Sequence, residues 1–84
     1  MKKEKKYFVI GGQYEDYCYG GTPTLIGAKR LAGKHMEYHD NFAGWVRPSI
    51  YRAEDTVLEE QESFYANGMR VKKRVPKWDA EPIA

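Results

Sequence analysis

The sequence has a single cysteine, only four prolines and no long run of apolar residues. One cysteine, Cys18, excludes an internal disulfide and is typical of a protein from a reducing compartment. No apolar stretch approaches the roughly 18 residues that a transmembrane helix requires, and the lysine-rich start lacks the apolar segment of a signal peptide. These absences predict a soluble cytoplasmic protein without membrane contact.

An excess of charge of either sign is also missing, because the formal net charge is only +2 over 84 residues. So small a charge indicates no particular partner. A chain of this length forms one small domain. We predict a single domain over residues 1–84, with extended or frayed ends at 1–5 and 77–84. If the C-terminal end is extended, it is expected to lie against the sheet through Trp78 and Ile83. Basic residues concentrate near both ends, and an acidic tract lies between positions 54 and 62.

The first half of the chain carries the patterns of two strands and a helix. Residues 6–11 and 16–20 are β-rich and are separated by a segment of hairpin-loop length, which predicts an antiparallel pair. Apolar side chains at helical spacing then predict one main helix over residues 22–39, with Thr22 as its N-cap and Pro23 in its first turn.

Two glycines, Gly27 and Gly33, fall inside this predicted helix on the side away from its apolar face. Each is expected to cost about 1 kcal/mol relative to alanine. The helical pattern offers no reason for either glycine. Either the helix tolerates both residues, or a partner approaches its backbone closely at these positions.

The segment that follows the third predicted strand, residues 49–55, has two interpretations. A capping-box pattern and a helical stripe over residues 55–66 indicate a second helix. The Asn-Gly sequence at 67–68 is instead a strong signal for a β-hairpin, in which Glu62 faces Lys73. We favour the hairpin. The fold class is then α+β with two layers: a ββα unit, a further three-strand antiparallel run, and one main helix over the antiparallel sheet.

Two glycine pairs, Gly11-Gly12 and Gly20-Gly21, flank the second predicted strand. The second pair leads into a predicted helix N-terminus, where free backbone N–H groups favour an anion. A phosphate site would need a Walker lysine or a complete G-x-G-x-x-G pattern, and the sequence has neither. We interpret the first pair as the opening of the hairpin loop and the second as the strand-to-helix turn, and we predict no cofactor.

His35 and His39, four residues apart in the predicted helix, have the spacing of a helical zinc pair. Cys18 and Asp40 are chemically suitable as further ligands, but no H-E-x-x-H or C-x-x-C motif accompanies them. Cys18 with one of the histidines is also the only combination of nucleophile and base. A lone cysteine among tyrosines is more often a small core residue. We therefore predict no bound zinc, no catalytic residue and no enzyme activity.

The loop before the third strand combines aromatic residues with arginine, a composition that is enriched in protein-binding hot spots. We predict that this loop and the cationic side of the helix form a partner-binding surface. Its residues are Arg30, Lys34, Phe42, Trp45 and Arg47. The alternative for Trp45 is that it covers the core beneath the helix.

The basic C-terminal run supports a different function, the direct binding of nucleic acid. Its residues are Arg70, Lys72, Lys73, Arg74 and Lys77. The favoured hairpin places the acidic tract beside these cations, which neutralises much of their positive field. A helix in the acidic tract would leave the cations free.

Several short stretches of the sequence form a distinctive set. They are GGTPTLIGAKRLAG (20–33), DN with GW and PSIYRAED (40–55), VPK (75–77) and EPIA (81–84). In these stretches the chain resembles small uncharacterised proteins from phages and prophages of Gram-positive bacteria. The resemblance implies a small accessory protein, such as an anti-defence factor, that works by binding inside a bacterial cell. We therefore expect a non-enzymatic binding module that engages a host protein or nucleoprotein.

Overall fold

A computed structural model of the protein describes residues 4–12, 15–39, 44–63 and 66–84. In this part of the chain the fold is a small α+β arrangement with antiparallel strands, as the sequence predicts. The elements in chain order are β1 (Tyr7–Gly11), β2 (Tyr17–Thr22), α1 (Leu25–Lys34), β3 (Glu37–His39), β4 (Gly44–Val46), β5 (Ser49–Arg52), a 3₁₀ turn (Ala53–Asp55), β6 (Thr56–Glu62) and β7 (Arg70–Pro76). No helix in the described ranges has the length and apolar character needed to cross a membrane.

A three-stranded antiparallel sheet with the order β2–β1–β5 carries the hydrophobic core. Val9 in β1 lies opposite Ile50 in β5, and both side chains are buried. Helix α1 covers this face with Ala28 and Ala32, whose small side chains allow the helix to approach the sheet closely. The first predicted hairpin is confirmed as β1–β2, with a β-bulge between Val9 and Ile10.

The C-terminal residues lie along the free edge of β5. The Ile83 N–H donates to the Ile50 carbonyl at 2.8 Å, and the Ile50 N–H donates to the Ala84 carbonyl at 2.9 Å. The predicted position of Ile83 against the sheet is therefore confirmed. The predicted contact of Trp78 with the sheet is wrong, because Trp78 is 97% exposed in the turn after β7.

Helix α1 is shorter than the predicted 22–39 segment and spans only Leu25–Lys34. Its N-cap lies two residues later than predicted, at Thr24, whose hydroxyl accepts the N–H of Gly27 at 3.0 Å. At the other end, residues 37–39 form β3 and pair with β4, although their spacing continues the apolar stripe of the helix. Strand pairing outweighs helical periodicity here, because local helix preference is a weak determinant that tertiary contacts override.

The structure explains one of the two helical glycines. A Cβ atom at Gly27 would lie 3.1 Å from Thr24 Oγ1 and 3.3 Å from Thr22 Cβ, so a side chain would crowd the N-cap. A Cβ atom at Gly33 would meet no atom within 4 Å. Packing against the described residues therefore accounts for Gly27 but not for Gly33.

Replacing Gly33 with alanine should stabilise the protein by about 1 kcal/mol, because alanine loses less backbone entropy in a helix and its methyl group meets open space. Gly27→Ala, in the same helix, should be neutral or destabilising, because its methyl group crowds Thr24. Urea unfolding of the two variants measures the difference. Equal stabilisation by both substitutions would contradict the N-cap explanation of Gly27.

The second glycine pair does not form the strand-to-helix turn, and that prediction is wrong. Gly20 and Gly21 both lie inside β2, and Pro23 and Thr24 connect this strand to the helix. A Cβ atom at Gly21 would lie 2.6 Å from Phe8 Cε1. The glycine is needed there because the Phe8 ring packs directly against the backbone of β2.

Strands β6 and β7 pair as the favoured hairpin, so residues 56–62 form a strand and not part of a second helix. The predicted turn is present: Asn67 and Gly68 have positive φ values of 56° and 81°. The Met69 N–H closes this turn by donating to the Ala66 carbonyl at 3.1 Å. The Asn-Gly signal therefore located the turn correctly.

The register of this hairpin differs from the prediction, because Glu62 faces Arg70 and not Lys73. The Ser63 N–H donates to the Met69 carbonyl at 2.9 Å. The connection between the two strands is thus longer than a two-residue turn. Each residue of β6 faces a residue of β7 that lies three positions before its predicted partner.

The third predicted strand, residues 49–55, is shorter and belongs to the central sheet. β5 ends at Arg52, and the 3₁₀ turn occupies the last three positions of the predicted strand. β5 pairs with β1. The described residues after position 48 therefore contribute one strand to the central sheet and a separate hairpin, β6–β7.

Candidate binding surface

Strands β3 and β4 form a short two-stranded ribbon that the sequence does not predict. Its register pairs, in order, are Glu37–Val46, Tyr38–Trp45 and His39–Gly44. Because neighbouring residues of a strand point to opposite faces, Tyr38 and Trp45 share the outer face of the ribbon. Glu37 and His39, the other two residues of β3, point to the inner face of the ribbon.

The outer face carries an aromatic pair, Tyr38 and Trp45. Their ring centroids are 5.7 Å apart and the ring planes are inclined by 73°, an edge-to-face contact. Tyr38 is 53% exposed and Trp45 is 67% exposed, so the alternative that Trp45 covers the core is wrong. Sequence reasoning missed Tyr38 because residues 35–39 continue the helical stripe and hide the alternation of a strand.

The inner face is fixed to the first hairpin through Glu37. Its Oε2 atom accepts the N–H of Gly12 at 3.0 Å and lies 2.9 Å from Nε2 of His39. Gly12 opens the loop after β1 with a φ of 109°, as predicted for the first glycine pair. His39 is only 9% exposed. These contacts hold the ribbon against the central sheet while its outer face stays open.

A polar cavity of about 190 Å³ is lined by both the ribbon and the central sheet. Burial, with a smaller contribution from the negative charge of Asp16, raises the pKa of Tyr51, and a hydrogen bond with Ser49 acts in the opposite direction. Tyr51 therefore supplies a neutral hydroxyl at physiological pH and not a general base. The polar lining residues are Asp16, Glu37, His39, Arg47, Ser49 and Tyr51. The volume lies below the range of about 300–1,000 Å³ that is typical of small-molecule sites.

The predicted partner-binding residues are distributed over two surfaces. Trp45 and Arg47 belong to the ribbon and the segment after it, and both are exposed. Arg30 and Lys34 are exposed on α1, which packs on β1, β2 and β5. Phe42 lies outside the described residues. Of the predicted set, the structure therefore places Trp45 and Arg47 beside each other along one segment.

The largest difference from the predicted basic surface concerns Lys73, which is buried. Its Nζ atom forms an ion pair with Oε2 of Glu15 in the loop of the first hairpin. The Ser63 hydroxyl donates to the other carboxylate oxygen of Glu15 at 3.3 Å. Glu15 therefore connects the two hairpins, and the Lys73 ammonium is not exposed for contact with a phosphate.

Two further cations of the basic run contact the protein itself. The Arg74 guanidinium lies over the Phe8 ring, 4.2 Å from its centroid, and donates to the Thr56 hydroxyl at 2.9 Å. Arg70 donates to the Glu60 carbonyl at 3.3 Å. The remaining members of the run, Lys72 and Lys77, are exposed. The five cations thus differ in exposure and do not form the uniform basic strand that the sequence suggests.

The predicted pair of helical histidines does not form, because only His35 belongs to the end of α1. His35 stacks on the Tyr19 ring at a centroid distance of 4.7 Å, and His39 lies in β3. Among the described residues, which exclude Asp40, no three His, Cys, Asp or Glu side chains are close enough to hold a metal ion. Burial raises the pKa of the Cys18 thiol, which lowers its thiolate fraction and its nucleophilicity at neutral pH.

The function of this surface is inferred from its own geometry, because no protein family model, no curated protein and no solved structure matches the chain.

Proposed function

We propose that the protein is a non-enzymatic binding module that engages a protein or nucleoprotein of a bacterial host cell through the outer face of the β3–β4 ribbon. The aromatic pair carries this proposal, because two large rings are exposed side by side on a supported ribbon. Binding energy concentrates in Trp, Tyr and Arg residues. The resemblance to phage and prophage proteins adds the bacterial cytoplasm as the place of action and an accessory or anti-defence role.

The exposed surface of the aromatic pair is large enough for an energetic hot spot. With Trp45 67% exposed and Tyr38 53% exposed, the two residues present roughly 250 Å² to solvent. Burying this area stabilises a complex by about 6 kcal/mol before the costs of association are subtracted. Because Glu37 and its partners hold the ribbon from the inner face, little conformational entropy is lost on binding.

Cationic residues extend the proposed interface beyond the aromatic pair. Arg47 follows Trp45 by two positions and is exposed. Arg30 and Lys34 are exposed on the separate surface of α1, and they and Phe42 are assigned to the interface from the sequence. Exposed cations of this kind contribute mainly to the rate of association and to specificity for an acidic partner.

Direct binding of nucleic acid through the basic C-terminal run is the second candidate function. It requires several cations that reach phosphates at the same time. Lys73 is paired with Glu15, and Arg74 is held over the Phe8 ring, so the exposed positive surface is smaller than the sequence suggests. This arrangement favours the protein partner over bare nucleic acid.

Replacing Trp45 with alanine should weaken partner binding by about 30-fold, which corresponds to ~2 kcal/mol for the loss of one hot-spot side chain. A pull-down from the bacterial host, analysed by mass spectrometry with and without nuclease, identifies the partner, and calorimetry with the purified partner measures the affinity. Trp78→Ala is the matched control, because Trp78 is also exposed but lies in a different element, and it should leave the affinity unchanged.

Salt dependence separates the two candidate functions. A protein that contacts phosphates through the three exposed cations Arg70, Lys72 and Lys77 should bind duplex DNA with a log–log salt slope of about −3, whereas a module anchored by aromatic rings should depend less on salt. Duplex binding with the steep slope would reverse the proposal if Lys72→Glu with Lys77→Glu abolished it and Trp45→Ala did not affect it.

A further inference from the structure

The two rings of the aromatic pair form an open notch and not a deep pocket. Their planes meet at 73° with centroids 5.7 Å apart, and more than half of each residue is exposed. The polar cavity on the inner side of the ribbon is lined by Glu37, His39 and Arg47, and not by this pair. A shallow notch with aromatic walls suits a rigid ring that stacks on them, and proline is the side chain that aromatic-lined grooves recognise in this way.

The size of the notch limits what it can bind. Its exposed area of roughly 250 Å² is well below the about 800 Å² per partner that a stable interface between folded proteins buries. A second copy of the chain or a whole domain would therefore not be held by this surface alone. A short segment that is already in the polyproline II conformation loses little entropy on binding, so a small contact is sufficient.

The charge next to the notch is positive. Arg47 follows Trp45 by two positions and is exposed, and it also contributes to the lining of the polar cavity. Within the described part of the chain Arg47 forms no ion pair, since the pairs found there are Glu37 with His39 and Glu15 with Lys73. A carboxylate in the bound segment would complete a charge-assisted hydrogen bond with this guanidinium.

We propose that the aromatic pair, together with Arg47, binds a proline-containing acidic segment of a partner protein in the polyproline II conformation. This inference rests on the proposed function and deepens it by naming the class of partner. Proline rings contact Tyr38 and Trp45, and an acidic residue of the same segment pairs with Arg47.

The test uses the full chain, labelled with ¹⁵N, and a blocked peptide of three consecutive prolines flanked by aspartates. The indole N–H resonance of Trp45 should shift and saturate during the titration, while that of Trp78 stays in place as an internal control. Replacing the three prolines with alanines should weaken binding at least about tenfold, a difference of ~1.4 kcal/mol. Arg47→Glu should weaken binding of the aspartate peptide but not of a peptide in which lysines flank the prolines.

Three outcomes would overturn this inference: no saturable shift of the Trp45 indole, equal affinity for the alanine peptide, or preferential binding of an oligothymidine strand by the same residues. Trp45→Phe accompanies Trp45→Ala as a second variant, and circular dichroism confirms that both remain folded. If Trp45→Ala abolishes binding of the host partner but the peptide does not bind, the proposed function stands and the proline assignment is wrong.

Discussion

Replacing Glu15 with alanine is expected to destabilise the protein by about 3–5 kcal/mol, because the Lys73 ammonium would remain buried without its counter-charge. The exposed fractions of the two side chains are 7% for Lys73 and 15% for Glu15. A solvent-exposed ion pair contributes only about 0–1 kcal/mol. Because small domains have free energies of unfolding of about 5–10 kcal/mol, the variant should lose a large part of its stability, which urea unfolding measures.

Two further variants separate the buried charge from other effects of the substitution. Glu60→Ala removes an exposed carboxylate that faces Lys72 in the hairpin, and it should cost less than about 1 kcal/mol. Glu15→Met combined with Lys73→Met removes both charges and should recover most of the loss, because apolar side chains often replace a buried ion pair without penalty. If Glu15→Ala costs no more than Glu60→Ala, the ion pair does not hold the two hairpins together.

Local signals predict the hairpins of this fold, and contacts between distant residues decide how the hairpins pack. Gly12 and the Asn67-Gly68 pair occur where the backbone requires positive φ, so both turns could be found from the sequence. The contact between Glu15 and Lys73 joins residues 58 positions apart. The alternation of β7 does place Lys73 on the same face as Val71 and Val75. No local pattern identifies Glu15 as its partner, and the basic run therefore suggested a surface position.

The candidate binding surface could be predicted only in part for the same reason. Trp45 and Arg47 stand out through their composition in a polar, glycine-containing loop. Tyr38 does not stand out, because its segment fits the helical stripe, and only the non-local pairing of β3 with β4 directs its ring outward. His39 shows the converse: its helical spacing suggested a helix face, and the ribbon places it on the buried inner face.

Gly12 is a position at which a single added methyl group should be strongly destabilising. A Cβ atom there would lie 2.0 Å from the carbonyl oxygen of Glu15, and the residue has a φ of 109° that L side chains rarely adopt. The clash is with backbone, so no side-chain rotation relieves it. We expect Gly12→Ala to destabilise the protein by about 3 kcal/mol. Urea unfolding measures this loss, and the Trp45 indole resonance should shift because Gly12 also donates to Glu37.

Gly68→Ala isolates the backbone contribution, because Gly68 has a positive φ of 81° but a Cβ atom there would meet nothing within 4 Å. It should cost about 1–2 kcal/mol, and the remaining difference from Gly12→Ala measures the clash with Glu15.

The same clash displaces the residue that pairs with Lys73, so the stability losses of Gly12→Ala and Glu15→Ala should not be additive. The double variant should lose at least about 1 kcal/mol less than the sum of the single losses. Additive losses would mean that the loop after β1 and the buried ion pair stabilise the fold independently.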